Sequence, residues 1–154
     1  MTKLSAGILL YDFKLAGKLC VFLVHPGGPF WKNKDEGAWS IPKGEYTEGE
    51  DALSAAKREF KEETGNELPN GNLHLLQPVR LTSGKIISAW AMQATVDPTI
   101  IKSNEFEMEW PPRSGKKQLF PEVDRAAWFE IEETKIKINK RQAPLLEQLI
   151  AIVS

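Results

Sequence analysis

The stretch from Gly44 to Asn66, GEYTEGEDALSAAKREFKEETGN, constrains this chain most, because it combines a strong helix signal with a dense group of carboxylates. Thr47 followed three residues later by Glu50 has the form of a capping box, which satisfies the free amide donors of a helix start. Ala52, Ala55, Ala56, Lys57, Arg58 and Lys61 are good helix formers, and Gly65 can adopt the left-handed conformation that closes a helix. The expected helix runs from about Glu48 to Thr64.

At about 100° per residue, Glu59, Glu62 and Glu63 share one narrow sector with Ala52 and Ala55 on the preceding turns. Leu53 and Phe60 lie about a quarter turn away, so the apolar docking seam runs beside the acidic face and brings it to the border of the core. Like charges at these spacings repel by roughly a few tenths of a kcal/mol each, and more where protein covers one side. Either a solvated face with partners such as Lys57 and Lys61, or a bound cation, relieves that repulsion. Oxygen donors without Cys or His clusters suit Mg²⁺, Mn²⁺ or Ca²⁺ better than zinc. Charge pattern alone leaves both arrangements open.

Spacing separates them. Gly44, Glu50, Arg58, Glu59, Glu62, Glu63 and Gly65 follow the pattern G-x5-E-x7-R-E-U-x-E-E-x-G-U, where U is apolar, with Phe60 at the first U and Asn66 departing from the second. This stretch resembles the Nudix box. The departure at Asn66 concerns how the chain leaves the helix and touches none of the charged positions. The resemblance implies an α/β chain with the Nudix fold, an α/β/α sandwich around a mixed β-sheet. It also implies a hydrolase that cleaves a phosphoanhydride bond with one to three Mg²⁺ or Mn²⁺ ions. By the same resemblance Glu59, Glu62 and Glu63 hold metal, the backbone carbonyl of Lys43 joins them, Arg58 orients a box glutamate, and Glu50 supports the helix start. The residues read without it support a mixed α and β domain.

With 154 residues, 42% hydrophobic and 27% charged, the chain is expected to form one domain over residues 1–154. A net charge of −1 and a pI near 6.2 provide no basic field, so neither polymeric nucleic acid nor a membrane is an expected partner. A small anionic ligand remains compatible with a local patch. The single cysteine, Cys20 in KLCVFLV, excludes a disulfide framework and reads as a buried strand residue. The apolar run from Ala6 to Tyr11 is too short for a signal peptide or a membrane span, so a cytoplasmic protein is expected.

Lys3 to Asp12 and Lys18 to His25 read as core strands joined by a turn at Leu15, Ala16 and Gly17. The Gly/Pro-rich loop PGGPFWKNKDEG carries Phe30, Trp31 and Lys32. Trp31 either anchors this loop or offers a platform for a nucleobase, where stacking is worth roughly 1 to 3 kcal/mol. The lead-in AWSIPKGE resembles Nudix hydrolases that act on dinucleoside polyphosphates or other highly phosphorylated substrates, and the Lys43 side chain is a candidate phosphate contact.

Leu73 to Leu81 and Lys85 to Ala94 read as a hairpin across TSGK, and EFEMEW alternates as a strand before the basic loop PPRSGKKQ. Arg113, Lys116 and Lys117 in that loop are either solvated or hold the non-reacting phosphates of a substrate. Trp110 and Phe120 flank it and either pack the loop down, the favoured reading, or contact a base. VDRAAWFEI reads as a last strand followed by a short helical turn. Nudix hydrolases place a further carboxylate near this point, so the resemblance nominates Glu122 as an extra metal ligand or general base, with Glu105, Glu107 and Glu109 as competitors. Leu145, Leu146, Leu149 and Ile150 recur at helical spacing in a final helix that closes the core.

These readings point to a small nucleoside polyphosphate substrate, diadenosine tetraphosphate or a relative, with a nucleoside triphosphate pyrophosphohydrolase as the alternative. A Nudix-fold module that binds a nucleotide without hydrolysis would be expected to lack box glutamates, which this chain retains. An acidic structural helix in a partner-binding protein is the third reading, and it requires no divalent ion.

Overall fold

In a computed structural model, residues 3–14 and 16–153 are described, and Leu15 of the expected first turn lies outside them. The chain runs β1 (Leu4–Lys14), β2 (Lys18–Pro26), β3 (Lys43–Tyr46), α1 (Ala52–Thr64), β4 (Leu73–Leu75), β5 (Val79–Arg80), β6 (Ile86–Gln93), β7 (Glu105–Glu109), β8 (Lys117–Pro121), β9 (Val123–Glu130), α2 (Ile131–Lys137) and α3 (Ala143–Val153).

Period-two alternation builds the centre. In β1, Ala6, Ile8 and Leu10 enter one apolar cluster while Leu9 enters a second, and β2 divides Phe22 and Val24 from Val21 and Leu23 in the same way. A strand with both faces apolar has to be covered on both sides. Helix α1 covers the first face with Ala55, Ala56 and Phe60, and α3 covers the second with Leu145, Leu146 and Leu149. The sheet between them has the order β4-β6-β1-β2-β9, with β3 also beside β1 and β5 beside β6. Its β1–β6 pairing is parallel and the others are antiparallel, so the sheet is mixed and the chain is an α/β/α sandwich. Cys20 is fully buried in β2, as KLCVFLV implies. No helix among the described residues is long and apolar enough to cross a membrane.

Several local expectations are corrected. Helix α1 begins at Ala52, and its N-cap is Asp51, whose carboxylate accepts from the Ser54 amide at 3.0 Å. Thr47 instead closes a turn, its carbonyl accepting from the Glu50 amide at 3.0 Å. The Glu50 carboxylate is taken up by Arg58, so it does not reach back to complete a capping box. Gly65 closes α1 with φ 75°, its amide bonding the Lys61 carbonyl. Asn66 replaces an apolar contact with hydrogen bonds, its side-chain amide donating to the carbonyls of Thr64 and Ile100 at 3.1 and 3.4 Å.

The hairpin expected over 73–94 is interrupted. β4 and β5 both pair with β6, and between them Leu76 turns into the core with its amide bonded to Ala89. The end of the basic loop is strand β8, paired with β7 from Glu109↔Lys117 to Glu105↔Pro121, with Phe106 and Phe120 in ring contact at 6.0 Å. Strand β3 had no periodic signal because it is only four residues long. It docks on β1 at Gly7, where a Cβ would lie 2.6 Å from both the Lys43 Cβ and the Pro42 carbonyl oxygen.

The capping assignment is tested by chemical denaturation. Asp51→Ala is expected to cost about 1 kcal/mol, the usual worth of an N-cap, whereas Thr47→Ala stays within about 0.5 kcal/mol of the parent.

Candidate active site

The acidic sector of α1 lies over β3. A Cβ on Gly44 would overlap the Glu59 carboxylate, so only glycine at this position leaves room for that side chain at the edge of the sheet. Glu59 is 7% exposed, beside the fully buried Phe60 on the docking seam. Burial pushes its carboxyl up from the usual range, and the neighbouring Glu62 adds to this.

Arg58 holds the group together. Its Nε and Nη2 donate to the two oxygens of Glu50 at 3.0 Å each, and its Nη1 donates to Glu59 at 2.9 Å and to both oxygens of Glu62 at 3.3 Å. The paired hydrogen bonds it donates to Glu50 make the guanidinium still harder to deprotonate.

Glu63 faces a different environment. Its Oε1 accepts from the Lys43 amide at 3.1 Å, and among the described residues it forms no ion pair. Burial drives its carboxyl up to about 8, against the opposing pull of the Lys43 amide and ammonium, and Glu59 and Glu122 add further repulsion. Burial also pushes Lys43 down from its ordinary value, and the nearby Lys85 acts in the same direction.

Glu122 comes to this group through backbone. The Asn104 amide donates to the Glu62 carbonyl at 2.8 Å, and the Asn104 carbonyl accepts from the Glu122 amide at 2.9 Å. One residue therefore links the last turn of α1 to the start of β9. Glu122 is raised by burial first and by Glu62 second. Glu105, Glu107 and Glu109 are exposed on β7, and Glu107 pairs with Lys117 at 3.7 Å.

Glu59, Glu62, Glu63 and Glu122 thus set four carboxylates near one another with the Arg58 guanidinium on two of them, and desolvation first, with mutual repulsion after it, holds three of them above their ordinary range. No three His, Cys, Asp or Glu side chains among the described residues already stand in a ligating arrangement. The donor chemistry, hard oxygens with surplus negative charge, nevertheless fits a small divalent ion.

The carboxylates open into a trough. A pocket of about 200 Å³ is lined by Trp31, Ser40, Lys43, Glu63, Glu122 and Gln142 among others. It shares Trp31 and Glu122 with an apolar pocket of about 410 Å³ formed by Phe30, Phe106 and Met108. Trp31 is half-buried, packs against the core and meets Phe30 edge-on at 5.0 Å, so it anchors its loop while lining both pockets. Phe30 is exposed, with the Lys34 ammonium 3.6 Å from its ring centre.

Two buried polar residues that hold these walls escaped the sequence reading. His25 bonds Asp124 through Nδ1 at 2.8 Å and the Lys34 carbonyl through Nε2 at 2.6 Å, which ties the Trp31 loop to β9. Gln142 accepts from the Ile41 amide at 3.1 Å and donates to Ser40 at 2.9 Å. A polar residue inside an otherwise apolar run was the available signal for His25; Gln142 had none. The structure does not bring Arg113, Lys116 and Lys117 to this trough, since all three are exposed around the β7–β8 turn and none lines these pockets.

The raised Glu63 carboxyl has a sign that can be checked. It keeps its proton in the folded state up to about pH 8 and loses it near pH 4.5 when unfolded, so folding takes up a proton between those values. With a chelator present, the protein is expected to lose up to about 1.4 kcal/mol of stability per pH unit as pH rises through this window. Glu63→Gln should flatten that dependence in urea melts.

A family model described as NUDIX domain matches residues 1–149. No curated protein matches the chain. Among solved structures, a C. elegans Ap4A hydrolase in a binary complex is 24% identical, covers 97% of each chain and has a TM-score of 0.64. The NUDIX domain of Shewanella oneidensis NrtR complexed with ADP ribose is 16% identical over 100% of this chain and 90% of that one, with a TM-score of 0.69. A MutT from a study of Aliivibrio salmonicida and Vibrio cholerae is 16% identical over 97% and 96%, with a TM-score of 0.57. The family match spans the sandwich and the whole acidic helix, and the chain belongs to the NUDIX family of nucleotide pyrophosphohydrolases, whose members generally require divalent metal ions.

Proposed function

We propose that this protein, as one domain over residues 1–154, is a Mg²⁺- or Mn²⁺-dependent hydrolase of nucleoside polyphosphates, with diadenosine tetraphosphate or a close relative as its substrate. The observation that carries the reading is the desolvated Glu59–Glu63 pair, with Glu122 tied beside it and itself lining an aromatic pocket. The fold shared with a C. elegans Ap4A hydrolase supports it.

Glu59, Glu62, Glu63 and Glu122, with the Lys43 carbonyl, would hold one to three ions. Ions held there would mask the charge of the diphosphate and make a water more acidic. Arg58 fixes the orientation of Glu59 through Nη1 and so sets where that carboxylate can act. A Glu122 carboxylate oxygen accepts the proton of the attacking water, whose oxygen bonds to phosphorus as the bridging P–O bond breaks. Trp31 stacks on the base, and its loop is held in place by His25. The Lys43 ammonium faces the phosphates from the wall it shares with Glu63.

A screen of diphosphate compounds with Mg²⁺ and Mn²⁺, read by chromatography of the products, tests the activity. Preference for nucleoside triphosphates over dinucleoside tetraphosphates would move the assignment to a triphosphate pyrophosphohydrolase. Glu59→Gln and Glu63→Gln each retain shape but lose ligand charge, so turnover should fall by about 100-fold or more with the fold intact. Full turnover in both variants would end the metal assignment. Trp31→Ala is expected to raise KM by roughly 5- to 100-fold with less effect on kcat, in line with a lost stacking contact.

A further inference from the structure

Beyond Lys43 the trough widens into a cleft of about 760 Å³, within the size range of small-molecule sites. Lys3 just ahead of β1, Lys43 and Glu45 of β3, Lys85 ahead of β6, and Arg141 line it. This wall carries four cations and one carboxylate. Glu45 is approached by Lys85 at 3.5 Å and by Lys3 at 3.9 Å, so a single negative charge serves both lysines. Arg141 forms no ion pair among the described residues, and only its backbone amide is engaged, by Asn139. Surplus positive charge lines a concave surface.

The cleft adjoins the pocket of Glu63 and Glu122 through shared lining residues and lies on the opposite face of β3 from Glu59. Alternation along β3 turns Gly44 toward Glu59 and sends Lys43 and Glu45 to the opposite face. Lys43, Asn139 and Gln142 line both this cleft and the pocket that contains Glu63 and Glu122. A second observation falls beneath the cleft wall. Among the described residues the buried Ser5 hydroxyl has no hydrogen-bond partner, and Ser5 stands directly opposite Glu45 on β3 and Ile87 on β6, two residues that line the cleft.

We propose that this cleft binds the phosphates beyond the scissile bond, so that the protein selects substrates with a long anionic arm over short diphosphates. The proposal extends the hydrolase reading above, and the order along the trough gives it direction. A base sits against Trp31, the diphosphate lies at Glu63 and Glu122, and the remaining phosphates run past Lys43 to Lys85, Lys3 and Arg141. Arg113, Lys116 and Lys117 play no part in this arrangement, because they sit on the exposed β7–β8 turn.

Binding of inorganic tripolyphosphate to the full chain in the presence of a chelator tests the cleft apart from any metal. Calorimetry should show binding that weakens with salt and drops at least about tenfold in a Lys85→Met/Arg141→Ala variant, which keeps the lysine stem while removing both charges. A Lys116→Ala/Lys117→Ala variant should bind like the parent. Equal binding by the cleft variant, or loss in the hairpin variant, overturns the assignment. In turnover, the cleft variant should show a raised KM for diadenosine tetraphosphate and an unchanged KM for ADP-ribose; an equal rise for both overturns the claim of chain-length selection. If no diphosphate compound is hydrolysed while tripolyphosphate still binds through Lys85 and Arg141, the hydrolase reading fails and the cleft stands.

Discussion

The structure depends on one helix burying an apolar side chain and a carboxylate side by side. Phe60 has to enter the cluster under the sheet, and at the neighbouring position Glu59 is carried to the same border, with 7% of its surface left exposed. Removing a charge from water is expensive without a partner, so something must offset the move. Arg58 does so for Glu59 while holding Glu50 and Glu62. Among the described residues Glu63 receives only the Lys43 amide as a hydrogen-bond donor, and burial raises its proton affinity. The acidic helix is therefore stable in its packing and unsatisfied in its charge, and that imbalance is what a hard cation relieves.

Much of this was readable because the interacting groups are close in the chain. The box residues lie on a single helix, where spacing alone places three glutamates in one sector. The capping box expected at Thr47 and Glu50 gives way to an N-cap four residues on, at Asp51, whose carboxylate accepts from the Ser54 amide. Geometry decides for Asp51 once Arg58 has claimed the Glu50 carboxylate. Glu122 could be named only through family resemblance, because the link that delivers it consists of the Asn104 amide and carbonyl, which have no side-chain signature. The cations show the same limit. Arg113, Lys116 and Lys117 stand out as a cluster in the sequence but remain on an exposed turn, whereas Lys3, Lys43, Lys85 and Arg141 come from four distant segments and meet across β1, β3 and β6.

The Trp31 loop shows how a flexible composition is made rigid. Its Pro and Gly residues impose little order of their own, yet the Gly27 amide bonds the Glu122 carbonyl, and Trp39 at the far end donates its ring N–H to Asp35 at 2.8 Å. Between these points buried His25 reaches the Lys34 carbonyl. The aromatic wall of the trough is consequently fixed to the same strand start that supplies Glu122.

Strand β3 then divides the labour across the sheet. Its alternation gives Gly44 to the acidic side and Lys43 with Glu45 to the basic side, while the Lys43 amide touches Glu63. Four residues thus separate opposite electrostatic environments by the thickness of one strand. A neutral ligand gains nothing from that gradient, and a short diphosphate would use only one end of it. The extended polyanion proposed above, with its base toward the aromatic pocket beyond Glu122, would use both ends.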